Sequence, residues 1–166
     1  LDSKQILVEL CLLRETGGLT KNESELINKY IPQTTMFSKA KVAEHSGLLE
    51  QIITNKDKYV LKKAKSHGGR NVFIGCQINN KNWELELKNA LESGDYLLQE
   101  YVQNILNKKV TISDGTDEED KDLTCIISPF LINWEVPGVL VRAWGANDID
   151  GGFSNRILSI ANLNNY

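Results

Sequence analysis

The segment from Tyr59 to Asn71, YVLKKAKSHGGRN, combines lysine side chains with a glycine pair. Lys62 follows two apolar residues of a predicted strand, where an ammonium group needs an anionic partner or a route to water. Gly68 and Gly69 permit positive φ angles, which can bring several backbone N–H groups towards one point. A lysine beside converging amides is suited to binding a phosphoryl group. The alternative is a surface hairpin whose lysine extends into solvent.

Two common phosphate-binding motifs do not fit this segment. A Walker A loop needs Gly-Lys followed by Ser or Thr, whereas the sequence here continues as GGRN. In protein kinases the glycine loop comes before the strand lysine, and in this chain the lysine comes first. A phosphate site in this segment must therefore belong to another class.

A second segment with binding potential is QEYV, from Gln99 to Val102, at the end of a predicted strand. A strand end that leaves its sheet exposes backbone C=O and N–H groups, one acceptor and one donor per residue. Such a pair can bind the edge of an adenine ring. The alternative is an ordinary strand with Tyr101 packed in the core.

The order of these segments resembles the circularly permuted branch of the ATP-grasp superfamily, which includes glutathionylspermidine synthase and eukaryotic glutathione synthetase. YVLKKAKSHGGRNVFIG, a tryptophan-bearing helix NWELELKNAL and YLLQEYV carry the likeness, which extends over nearly the whole chain. LTKNESELINKYIPQT is similar to the family segment that ends Y-I-P-W-T, with Gln33 in place of the tryptophan. LDSKQILVEL resembles the helix start that carries the first ATP lysine, and LVRAWGANDIDGGFSNRILSIAN resembles the closing arginine-bearing strand and glycine-rich loop.

The resemblance implies roles for three groups of residues. Those expected at the ATP phosphates, including a mobile glycine loop, are Lys4, Lys62, Ser66, His67, Gly68, Gly69, Arg70 and Asn71. Those expected at the adenine are Gln99, Glu100, Tyr101 and Val102. Arg142 is expected to neutralise a phosphate or an acyl-phosphate intermediate, because its planar guanidinium suits such oxyanions. The alternative for Arg142 is an arginine paired across the sheet.

The same resemblance implies an ATP-dependent ligase that joins a small carboxylate to an amine or a thiol through an acyl phosphate. ATP and Mg²⁺ are the expected cofactors, with the magnesium ligands in an upstream part of the same polypeptide. Asp148, Asp150 and Asn155 carry suitable oxygens, but a solvated loop is the preferred interpretation of that segment. The alternative function is a catalytically inactive nucleotide-binding or structural module with the same fold.

Composition limits the other classes of function. Hydrophobic residues make up 41% and charged residues 25% of the chain, which is typical of soluble globular proteins. The formal net charge of -3 argues against nucleic acid and anionic membrane surfaces as partners. The three cysteines show no CxxC spacing, so we expect no zinc site, no disulfide framework and a cytoplasmic setting. Because the chain starts without methionine, we also expect residues upstream of Leu1.

The elements that must position these residues follow from apolar periodicity, caps and turn residues. Helices are predicted over residues 3–16, 20–31, 38–53 and 82–93. Strands are predicted over residues 59–61, 72–74, 96–102, 110–112, 123–134, 138–144 and 153–162, with an acidic loop at 113–122. This predicts an α+β fold of the ATP-grasp type, with N-terminal helices, a glycine-rich hairpin and a mostly antiparallel sheet. The expected divisions are a helical segment 1–57, an ATP-binding subdomain 58–103 and a strand lobe 104–166.

Overall fold

The structure is a computed structural model that describes residues 3–66, 70–103, 107–113, 118–145 and 156–162. It divides into two compact units, Leu1–Val102 and Gln103–Tyr166. Both contain antiparallel sheet, and the first also contains the helices. The predicted α+β class is therefore confirmed.

Five α-helices lie in the first unit. They are α1 Gln5–Glu15, α2 Lys21–Tyr30, α3 Lys39–Glu44, α4 Leu48–Thr54 and α5 Asn80–Ser93, with short 3₁₀ turns at Lys56–Lys58 and Gly75–Gln77. The start of α2 is a capping box: the Thr20 backbone N–H donates to Glu23 Oε2 at 2.8 Å, and the Glu23 N–H donates to Thr20 Oγ1 at 3.4 Å. The sequence predicted this start correctly, because every group in it lies within four residues.

The predicted helix over residues 38–53 is wrong as a single element. It is broken into α3 and α4, and Gly47 between them has a φ of 83°, in the left-handed region. Glycine adopts that region without the steric cost that other residues meet there. Gly47 is the N-cap residue of α4, which begins at Leu48 after α3 has ended at Glu44.

The sheet of the first unit has four antiparallel strands. They are β1 Thr34–Phe37, β2 Tyr59–Lys63, β3 Val72–Ile74 and β4 Tyr96–Glu100, in the order β1-β4-β2-β3. The antiparallel pairing of β2 with β3 agrees with the sequence prediction. The sequence did not predict β1, because its four residues are too few to show a strand period.

One face of this sheet packs against α4 and α5. Leu61 and Leu98 on the central strands are buried with Trp83 of α5, whose indole N–H donates to the Ile52 carbonyl at 3.3 Å. Because side chains alternate along a strand, the neighbours of Leu61 point to the opposite face. Helix α1 packs against β1.

The second unit is a sheet of four sequential antiparallel strands. They are β5 Asn107–Ser113, β6 Glu118–Ile132, β7 Glu135–Gly145 and β8 Arg156–Asn162. The predicted acidic loop is wrong over residues 118–122, which form the start of β6 and pair with β5. Inter-strand pairing with β5 overrides the low strand propensity of that acidic run. The glycine-containing segment 146–155 lies outside the described residues.

In the described part of the chain, no helix combines the length and the apolar character that crossing a bilayer requires.

Gly75 gives a test of the packing between the two 3₁₀ turns. A Cβ at Gly75 would lie 1.9 Å from the Lys56 carbonyl oxygen, which is backbone and cannot move aside cheaply. We expect Gly75→Ala to lower the free energy of unfolding by about 1–3 kcal/mol, measured by urea denaturation. Gly18→Ala is the control, since its Cβ would meet chiefly the flexible Leu13 side chain, at 2.9 Å. Equal effects of the two substitutions would contradict this account of Gly75.

Candidate functional site

Lys62 lies on β2, on the sheet face opposite the main core. It is paired with Leu97 of β4 and Val72 of β3. Its side chain is half-buried, and Nζ donates to Gln99 Oε1 at 2.5 Å. The predicted strand lysine therefore meets the predicted adenine-binding glutamine across the sheet.

The Gln99 side chain is held at both ends of its amide. Its Nε2 donates to Thr34 Oγ1 at 2.8 Å, and the Thr34 hydroxyl donates to the Pro32 carbonyl at 2.8 Å. Gln99 and Thr34 are both buried. The Gln99 side-chain amide, which was predicted to contact adenine, therefore contacts Lys62 and Thr34 in this structure. Of the predicted adenine contacts, this leaves the backbone groups near the end of β4 for hydrogen bonding.

Lys4, immediately before α1, holds the start of the glycine loop, the segment from Ser66 to Asn71. Its Nζ donates to the Ser66 carbonyl at 2.9 Å, to Ser66 Oγ at 3.2 Å and to the Lys63 carbonyl at 3.3 Å. Its backbone N–H donates to the Ala64 carbonyl at 3.0 Å. A lysine ammonium has three N–H groups, so all of them are engaged.

The two predicted phosphate lysines are close enough to affect each other. Burial lowers the pKa of the Lys62 ammonium, and the positive charge of Lys4 lowers that pKa further. Within the described ranges, neither lysine lies within ion-pair distance of a carboxylate. The fold therefore concentrates positive charge at this face without a fixed negative partner.

The far end of the glycine loop closes the β2–β3 hairpin. Asn71 has a φ of 55°, which asparagine tolerates better than most residues, and its carbonyl accepts the Lys63 N–H at 3.0 Å. Asn71 and Arg70 are exposed. The predicted loop residues His67, Gly68 and Gly69 lie outside the described residues.

The end of β4 lies at an open surface cleft of about 650 Å³. The cleft is lined by Arg14, Asn28, Lys29, Tyr30, Ile31, Pro32, Gln33, Glu100 and Val102. The Glu100 N–H donates to the Gln33 carbonyl at 2.9 Å, and the Val102 side chain is exposed. Two of the four predicted adenine residues therefore line a cleft.

Tyr101 is the remaining residue of the predicted adenine group. It is half-buried, and its backbone N–H donates to the Lys58 carbonyl at 2.8 Å. Burial raises the pKa of the Tyr101 hydroxyl, and a hydrogen bond with Cys76 and the Cys76 charge raise it further. Cys76 itself is exposed.

Arg142, the predicted catalytic arginine, lies in β7 of the second unit. It is in register with Ile126 of β6 and Ile157 of β8. The described residues contain no group of three His, Cys, Asp or Glu side chains that could hold a metal ion. The expected magnesium ligands in an upstream part of the polypeptide stay a prediction.

Comparisons with known proteins add no family assignment. No protein-family model matches the chain, and no curated protein matches it significantly.

The lowered pKa of Lys62 predicts a pH dependence of stability. The unfolded chain, with a lysine pKa of 10.5, binds more protons than the folded one once pH exceeds the lowered folded pKa. Lys62 therefore makes its full contribution to the free energy of unfolding at pH values above its pKa in the unfolded chain. That contribution is lost as pH falls through its lower pKa in the folded chain. We expect Lys62→Met to flatten the rise of stability with pH, measured by urea unfolding at a series of alkaline pH values.

Lys63→Met is the matched control for this measurement. Lys63 is the next residue on β2, but its ammonium lies 3.4 Å from Asp95 Oδ2 and 5.9 Å from the centre of the Tyr96 ring. Lys63→Met should therefore show the same rise of stability with pH as the wild-type chain. A pH dependence of Lys62→Met that runs parallel to wild type would show that Lys62 titrates normally in the folded protein.

Proposed function

We propose that this chain binds ATP, as the ATP-binding part of a carboxylate–amine or carboxylate–thiol ligase of the permuted ATP-grasp type. The observation that carries the proposal is the proximity of Lys4 and Lys62, which is close enough for the charge of Lys4 to lower the pKa of Lys62. Both lysines were assigned to ATP phosphates from the sequence, although they lie in separate segments. A pair of ammonium groups without a carboxylate partner is suited to a polyanionic ligand.

Lys62 has hydrogen-bonding capacity left for such a ligand. One of its three N–H groups donates to Gln99, and the other two have no hydrogen-bond partner among residues 3–66 and 70–103. Phosphate oxygens accept hydrogen bonds from ammonium groups, and the attraction is stronger away from bulk water. An anion at Lys62 would also reverse the pKa depression that burial and Lys4 cause.

Lys4 gives the ligand a link to the glycine loop. Because its three N–H groups are engaged by Lys63 and Ser66, Lys4 must exchange at least one of these bonds to contact a phosphate. Such an exchange would release or reposition Ser66, the first residue of the loop. In this proposal phosphate binding and loop position are therefore coupled through one side chain.

The end of β4 supplies the proposed base site. β4 ends at Glu100, and Val102 follows two residues later. In this proposal the Glu100 carbonyl and the Val102 N–H supply the hydrogen-bonding edge for the base. Adenine would donate its amino group to the Glu100 carbonyl and accept from the Val102 N–H.

The ligase reaction needs more than the described residues provide. The terminal phosphoryl group of ATP passes to a carboxylate oxygen with loss of ADP, and an amine or thiol then attacks the acyl carbon and expels phosphate. Lys4 and Lys62 are proposed to bind the transferred phosphoryl group. The role of Arg142 in neutralising an acyl phosphate stays an expectation from the family resemblance. The described residues contain no group of three His, Cys, Asp or Glu side chains for a metal ion, and Mg²⁺ held by upstream ligands stays an expectation from the family resemblance.

The alternative of an inactive nucleotide-binding or structural module has its own supporting observation. The bonds from Lys62 to Gln99, from Gln99 to Thr34 and from Thr34 to the Pro32 carbonyl form a network that is already connected without a ligand. Lys4 is bonded separately to Ser66. Such a network can stabilise a fold by itself. Binding measurements separate the two functions.

The direct test is calorimetric titration of the 166-residue chain with MgATP. We expect Lys62→Ala to weaken binding by about 10-fold to 100-fold, the value of a hydrogen bond to a charged group. Lys63→Ala is the matched control and should bind almost as wild type does, because Lys63 lies on the other face with Asp95. Equal affinity of wild type and Lys62→Ala would contradict the proposed phosphate contact.

Complete absence of binding in the wild-type chain would favour the structural module. The ligase activity itself is tested on the full-length polypeptide by phosphate release with candidate carboxylates and amines. Release that depends on both substrates supports the ligase, and ATP binding without release for any pair supports the inactive nucleotide-binding module.

A further inference from the structure

We infer that Thr34 is a positioning residue of the proposed nucleotide site: its hydroxyl fixes the amide of Gln99 so that Oε1 faces Lys62. The inference rests on the proposed function for its role in ligand binding, whereas the amide orientation can be measured without ligand. Thr34 is on β1, which the sequence did not predict, and it is in register with Gln99 of β4.

The orientation follows from counting donors and acceptors. The Pro32 carbonyl can only accept, so the Thr34 hydroxyl, 2.8 Å away, must donate its one hydrogen to it. The Thr34 oxygen is then left as an acceptor, and only the NH₂ end of Gln99 can satisfy it at 2.8 Å. This places Oε1 at Lys62 Nζ, a group that can only donate while it is an ammonium.

The flipped amide would lose two hydrogen bonds at once. Its NH₂ end would face the Lys62 ammonium, donor against donor, and its oxygen would face a Thr34 oxygen whose hydrogen is already engaged. Thr34 is 2% exposed and Gln99 is 6% exposed, so water cannot readily replace the lost partners. Unsatisfied buried polar groups are costly, which leaves one orientation.

A fixed Gln99 oxygen gives the Lys62 ammonium a fixed direction. One N–H is directed to Oε1, and the geometry of the ammonium then restricts where the other two point. Donors that are oriented before the ligand arrives lose less freedom on binding and give higher affinity. Thr34 therefore acts on the ligand through Gln99 and Lys62, without contacting it.

The first test uses the wild-type chain without nucleotide. Proton NMR is expected to show nuclear Overhauser contacts from the Gln99 side-chain NH₂ to the Thr34 side chain, and slow solvent exchange of that NH₂. Contacts of this NH₂ to the Lys62 ε-methylene with none to Thr34 would overturn the inference. The result does not depend on ATP binding, so it stands apart from a failure of the proposed function.

The second test is a double-mutant cycle on MgATP affinity. Thr34→Val keeps the side-chain size and removes the hydroxyl, and we expect about five-fold weaker binding, the value of one hydrogen bond. Thr34→Ser keeps the hydroxyl and should bind as wild type does. In a Gln99→Met background, Thr34→Val should have no further effect on affinity, because the amide through which Thr34 acts is absent.

The cycle separates positioning from general support of the fold. A five-fold loss from Thr34→Val in both backgrounds would overturn the inference, because Thr34 would then act independently of Gln99. If circular dichroism shows that Thr34→Val is unfolded, the NMR contacts of the wild-type chain test the inference instead. If wild type binds no MgATP, the proposed function fails, and those same contacts still decide the orientation of Gln99.

Discussion

The site depends on one constraint: the half-buried ammonium group of Lys62 lies near a second ammonium group, that of Lys4. Lys62 is desolvated on β2, and the positive charge of Lys4 further disfavours its protonated form. Desolvation and like-charge repulsion both oppose the charged state, so the fold maintains an unfavourable arrangement. A neutral hydrogen-bond acceptor, Gln99, offsets part of this cost and leaves the charge available. An arrangement of this kind is expected where an anion binds, and perturbed pKa values of this origin are typical of functional sites.

Local sequence signals accounted for much of the fold, and non-local pairing accounted for the errors. The capping box of Thr20, the β2–β3 hairpin and the end of α5 at Gly94 were predictable, because each depends on residues a few positions apart. Strand β1 was not predictable, since it exists through pairing with β4 much later in the chain. The start of β6 was missed for the same reason: acidic residues that resemble a loop are held in a strand by β5.

The residues of the candidate site also differ in whether local sequence signals could identify them. Lys4, Lys62 and Gln99 were named from the order of motifs. In the structure Lys62 donates to Gln99, and the positive charge of Lys4 is close enough to lower the pKa of Lys62. Thr34 was missed, because its bond to Gln99 spans 65 residues and only the register of β1 and β4 brings the two together. Gln33, which replaces the tryptophan of the resembled family, accepts from Arg14 and donates to Glu15 at 2.6 Å. It thereby ties α1 to the start of β1 at the wall of the cleft.

The central claim is that Lys62 is an ammonium group held ready for an anion, and its titration tests this most directly. The pKa of Lys62 can be followed by carbon NMR of the labelled ε-carbon, first in the free chain and then with saturating MgATP. The account predicts a value below the usual 10.5 in the free chain and a clear rise when the nucleotide is bound. A usual lysine pKa in the free chain, unchanged by nucleotide, would contradict it.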